Sequence, residues 1–70
     1  MNLSDITRNR HGTYIQTLFD PVQTHAIYGV TAESLPSVKR ELKEAGATRF
    51  RVVKAGFSND LRIVCFKYSK

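Results

Sequence analysis

The feature that most constrains this chain is a change of hydrophobic period in its middle. Leu35, Val38, Leu42 and Ala45 recur at i, i+3, i+7 and i+10, which places four apolar side chains on one face of a helix. Lys39, Arg40, Lys43 and Glu44 fall off that stripe and belong to a solvated face. The ends are punctuated as well. Ser34 offers an N-cap, and Pro36 falls in the first turn, where its missing N–H would have no partner anyway. Gly46 supplies the left-handed residue that commonly closes a helix. The spacing therefore predicts a helix over Leu35–Ala45.

On either side of it the residues read as strands. Thr13–Phe19 is β-branched or aromatic almost throughout, Asp20-Pro21 breaks the run, and Thr24–Val30 resumes it, as in an antiparallel hairpin. Thr48–Ala55 and Leu61–Tyr68 make a second pair, joined by Gly56-Phe57-Ser58-Asn59-Asp60. The expected fold class is α+β: ββαββ, a four-stranded, mostly antiparallel sheet with one helix packed on one face. The last strand is the most apolar and suits the centre. The third carries Arg49, Arg51 and Lys54, which protect an edge. With the first and last strands adjacent and parallel, the expected order is 2-1-4-3. In topology that order resembles the grasp-like immunoglobulin-binding fold, a likeness that implies no function.

At 70 residues the chain has room for one domain with a thin core and no deep enclosed cleft. Residues 1–12, with Arg8-Asn9-Arg10-His11-Gly12, read as a flexible basic N-terminal segment, and residues 13–70 as the compact domain. No apolar run approaches the roughly 20 residues that span a bilayer, and Met1-Asn2-Leu3-Ser4-Asp5 lacks the form of a signal peptide. A single cysteine, Cys65, excludes an internal disulfide and a cysteine-based zinc site. The expectation is a cytoplasmic protein with no membrane partner, no metal and no cofactor.

Eleven Lys and Arg against six Asp and Glu give a formal net charge of +5. Alternation along the third strand sends Phe50 and Val52 to the core and Arg49 and Arg51 to the uncovered sheet face. The last strand has two apolar sets, Leu61/Ile63/Cys65 and Val64/Phe66/Tyr68, and a one-residue change of register exchanges them. One set stays beside the arginines. The candidate binding surface is thus Arg49 and Arg51 with Arg62, Lys67 and an aromatic such as Phe66 or Tyr68, assisted by Arg8 and Arg10 from the N-terminal arm. Glu41 and Glu44 interrupt the helix patch of Lys39, Arg40 and Lys43, so that patch reads as a solvated face.

Catalytic signals are sparse. No Walker A loop, Gly-x-Gly-x-x-Gly, RNP-type motif or zinc-finger spacing occurs, and Asp5, Asp20 and Asp60 fall in separate segments. Cys65 reads as a half-buried strand residue. His11 and His25 would support ribonuclease chemistry only if folding brought the two imidazoles together. The expected function is therefore a non-catalytic one, association with nucleic acid, either DNA or RNA. The alternative is a stoichiometric inhibitor or adaptor, of the kind phages and other mobile elements encode, docking on an acidic protein surface. An edge strand or the open sheet face also offers a route to a homodimer.

Overall fold

The structure, a computed structural model, describes residues 3–8, 10–56 and 59–69. Its order is α1 (Leu3–Arg8), β1 (Tyr14–Thr17), β2 (His25–Thr31), α2 (Leu35–Ala45), β3 (Thr48–Lys54) and β4 (Leu61–Lys67). Asn9, and Phe57 and Ser58 of the β3–β4 turn, lie outside the described residues.

α2 has the predicted bounds. Pro36 stands in its first turn, and Ser34 precedes it without a side-chain cap hydrogen bond. Gly46, at φ 101°, closes the helix: its N–H donates to the Lys43 carbonyl, and the Ala47 N–H donates to that of Leu42. Val38 and Leu42 turn fully inward.

The sheet runs β1-β2-β4-β3, and every pairing in it is antiparallel. This corrects the expected 2-1-4-3 order and removes both its parallel pair and the likeness in topology drawn from it. The physical reason lies in β2. Ala26 is buried on one of its faces and Ile27 and Val30 on the other, the two-sided burial of an inner strand. β1 has only four residues, contributes Ile15 to the core and forms an edge. β4 is central and β3 lies at the other edge, as their charge pattern predicts.

Both helices cover one face. Ile6, Ile27, Val30, Val38, Leu42, Val64 and Phe66 are fully buried between the layers, each large side chain contributing roughly 1.5–3 kcal/mol by leaving water. A single covering helix and a flexible N-terminal segment do not describe residues 3–8, because α1 docks Ile6 into this core. Arg10 ties the segment down further. Its guanidinium donates to the Ile6 carbonyl at 2.8 Å and to both carboxylate oxygens of Glu41 on α2, at 2.9 Å for Oε1. This two-pronged pair raises the Arg10 pKa and holds the Glu41 carboxyl below its ordinary range.

Candidate binding surface on the uncovered sheet face

Register decides which side chains leave the covered layer. Phe66 and Val64 of β4 face the helices, so Leu61, Ile63, Cys65 and Lys67 face away. On β3, Arg51 stands opposite Cys65 and Val53 opposite Ile63. On β2, Ala26 stands opposite Cys65. Tyr14 and Gln16 of β1 oppose Tyr28 and Ala26.

Two adjacent rows therefore cross the uncovered face. One runs Tyr14–Tyr28–Ile63–Val53, with an aromatic half and an aliphatic half. The other runs Gln16–Ala26–Cys65–Arg51, polar at one end, small in the middle and cationic at the other end. In the second row Ala26 is buried and Cys65 half-buried. The rings of Tyr14 and Tyr28 stack 5.0 Å apart at 11°, and Tyr14 remains 57% exposed on the edge strand.

The first row depends on a bulge in β2. Ile27 opposes Val64 and Val30 opposes Arg62, so Tyr28 and Gly29 together oppose Ile63. The extra residue keeps Ile27 and Val30 both in the core while Tyr28 stands on the open side. Gly29, at φ 80°, lies so close to the start of β1 that a Cβ there would come within 2.2 Å of the Gly12 carbonyl oxygen.

The sequence-predicted residues do not form one site. Arg51 and Lys67 do face the uncovered side. Arg49 lies inside a second bulge, at φ 55°, where it and Phe50 together oppose Phe66, and its carbonyl accepts a hydrogen bond from Gln23 Nε2 at 2.9 Å. From the bulge it lines a shallow concavity at the sheet's end with Asp20, Val22, Gln23, Phe50 and Arg51. Arg62 Nη1 is committed to the β3–β4 turn, donating to the carbonyls of Asn59 at 2.6 Å and Leu61 at 3.1 Å. Arg8 and Arg10 belong to the helical layer, Arg8 paired with Asp5 at 3.2 Å and Arg10 with Glu41.

The expected aromatics are also displaced. Phe66 is fully buried, and Tyr68 packs against the core with its ring edge-on to His25. The aromatics of the open face are Tyr14 and Tyr28, and a signal for them exists in the sequence. A hairpin folded symmetrically about Pro21 pairs Tyr14 with Tyr28. A further exposed aromatic, Phe19, projects fully into solvent at the hairpin loop beside half-exposed Val22.

Charge within the strands has one sign. The four strands contain Arg49, Arg51, Lys54, Arg62 and Lys67 and no acidic residue. Two of the six acids, Asp20 and Asp60, lie in the loops that join β1 to β2 and β3 to β4, and Asp20 lines the concavity at the sheet's end with Arg49 and Arg51. Cys65 reports this field: burial pushes its thiol pKa up, Arg51 pulls it down, and Asp20 opposes Arg51.

No other chemistry converges. His25 stacks on Phe66 on the covered side with its Nδ1 2.7 Å from Thr24 Oγ1, whereas His11 is exposed before the far end of β1. The two imidazoles thus lie at opposite ends of β1 and form no acid–base pair. Among the described residues no group of three or more His, Cys, Asp or Glu is placed to hold a metal ion, and no helix is long and apolar enough to cross a membrane. Comparison with protein-family models, curated proteins and solved structures finds no match to this chain.

Proposed function

We propose that this protein is a non-catalytic nucleic-acid-binding module that uses the uncovered face of its sheet. One observation carries the proposal: the strands hold five cations and no acid, and Arg51 and Lys67 among them project from the uncovered face. Cations on a sheet edge and aromatics on its face are the two components a polyanion with planar bases requires. Arg51 and Lys67 take the phosphate contacts in this reading, with Arg49 at the sheet's end. The N-terminal arm is dropped from it, since Arg10 is consumed by Glu41. Salt-dependent fluorescence anisotropy tests the proposal. Arg51→Gln and Lys67→Gln should each weaken binding across sequences and lower the slope of log K against log salt by about 1. Absence of binding to any DNA or RNA probe at low salt would overturn it.

Phe19 and Val22 support a second reading, docking on an acidic protein surface. An exposed Phe in the hairpin loop, with Val22 of the same loop lining a concavity with Arg49 and Arg51, has the composition of an interface anchor. In that case Phe19→Ser would abolish partner binding, whereas it would change nucleic-acid affinity little.

A further inference from the structure

We infer that the nucleic acid this sheet takes is single-stranded, with a base stacked on Tyr14 and a phosphate held by Arg51 on the same face. The inference rests on the nucleic-acid reading above and deepens it. A duplex presents base edges only within its grooves, and the major groove, about 12 Å wide, admits a helix or a two-stranded ribbon. Here both helices lie on the opposite side. The uncovered face, which carries Arg51 and Lys67, is a four-stranded sheet whose outer strands are about 14 Å apart, at about 4.8 Å per strand. A surface of that shape meets bases only when they are splayed out of a helix, as they are in a single strand.

The tyrosine pair supplies the platform. Tyr28 covers the inner side of the Tyr14 ring, and the outer side faces the edge of the sheet, where no further strand lies. A base placed there continues an aromatic stack already two rings deep. On the same face the adjacent row ends at Arg51 on the opposite edge strand, within reach of a phosphate of the same strand of nucleic acid. Charge complementarity selects this occupant over an apolar protein segment, because Arg51 and Lys67 face this side and the strands hold no acid.

The test compares a short labelled oligothymidylate with a duplex of equal length, using the intact protein. Wild type should prefer the single strand at least about tenfold. Tyr14→Ala should weaken single-strand binding roughly 5- to 150-fold, the range for loss of one base–aromatic stack, and Tyr14→Phe should retain it. A measurement on unaltered protein guards against misfolding of a variant: bound oligothymidylate should slow alkylation of Cys65, the only thiol, several-fold. Equal affinity for duplex, or Tyr14→Ala binding as wild type while Arg51→Gln binds weakly, would overturn the single-strand inference and leave phosphate binding standing. Unchanged Cys65 alkylation under saturating oligothymidylate would place the bound strand away from the Cys65–Arg51 row and overturn the inference. If no probe binds at low salt, the nucleic-acid reading and this inference fall together, and the sheet becomes a protein-docking surface.

Discussion

Gly29→Ala is the substitution most exposed to refutation, because its cost can be worked from two contributions measured separately. Gly29 adopts φ +80°, and an added Cβ would lie 2.2 Å from the Gly12 oxygen, 3.1 Å from the Gly12 carbonyl carbon and 3.3 Å from Thr13 Cα. All three are backbone atoms, so relief requires the start of β1 to move. A Cβ in the left-handed region costs roughly 1–2 kcal/mol, and forcing packed backbone apart adds about 1–3 kcal/mol. Gly12 isolates the first contribution: it has φ +82°, and its added Cβ would meet nothing within 4 Å. Gly12→Ala should therefore cost about 1–2 kcal/mol and Gly29→Ala about 2–5 kcal/mol, out of a total stability of roughly 3.5–10 kcal/mol for a chain of this size. Urea melts followed by far-UV circular dichroism measure both. Gly29→Ala should also lower Tm by at least about 8 °C. Equal losses for the two variants, within about 0.5 kcal/mol, would show that β1 does not lie against the β2 bulge as described. Because the same shift would carry Tyr14 off Tyr28, Gly29→Ala should weaken oligothymidylate binding even where the protein remains folded.

Ile6→Ala should cost about 2–5 kcal/mol in a urea melt, because Ile6 is fully buried; a cost near zero would return residues 3–8 to a flexible arm. Glu41 pairs with Arg10, and its carboxyl pKa is lowered from 4.5, so its contribution to stability is present above that value and lost as pH falls through the lower folded value. Glu41→Gln should accordingly flatten the fall in stability below about pH 4.5, compared with wild type by melts across that range; an unchanged acid limb would refute the pairing. Burial outweighs Arg51 at Cys65, so alkylation should be slower than that of a free thiol at mildly alkaline pH, and Arg51→Ala should slow it further.

The identities of α2 and the four strands were legible in the sequence because each of these elements has a local cause. The helix follows from the stripe through Leu35, Val38, Leu42 and Ala45, with Pro36 and Gly46 as its limits. The strands follow from β-branched and aromatic runs interrupted at Asp20-Pro21 and near Gly56. Strand order was legible where charge marks an edge, at β3, and was misread where it depends on comparing β1 with β2. Length and two-sided burial decide that comparison, and the Tyr28-Gly29 bulge that puts Ile27 and Val30 on one face breaks the simple period of two. α1 was missed because six residues with two apolar positions carry almost no periodic signal; Ile6 docks through tertiary contact.

The candidate site was misread for a related reason. Composition counts charge without assigning it to a layer, and Arg8, Arg10, Arg51 and Arg62 look alike in the sequence. Folding separates them by what each can reach. Arg10 finds Glu41 across 31 residues of chain, Arg62 turns back on the Asn59 carbonyl, and Arg8 has Asp5 one turn away. Arg51 stands between small and apolar neighbours on an edge strand. The acids are confined to helices and loops, so the strands themselves hold cations alone. A single acid introduced at Val53, in the row beside Arg51, would therefore reduce polyanion affinity more than an acid at Lys39 on α2, although the second change alters net charge by two and the first by one. Comparing Val53→Glu with Lys39→Glu in the same anisotropy assay separates a localised field from a bulk one. A larger loss for the α2 variant would mean that net charge, and not the placement of cations on the sheet, governs binding.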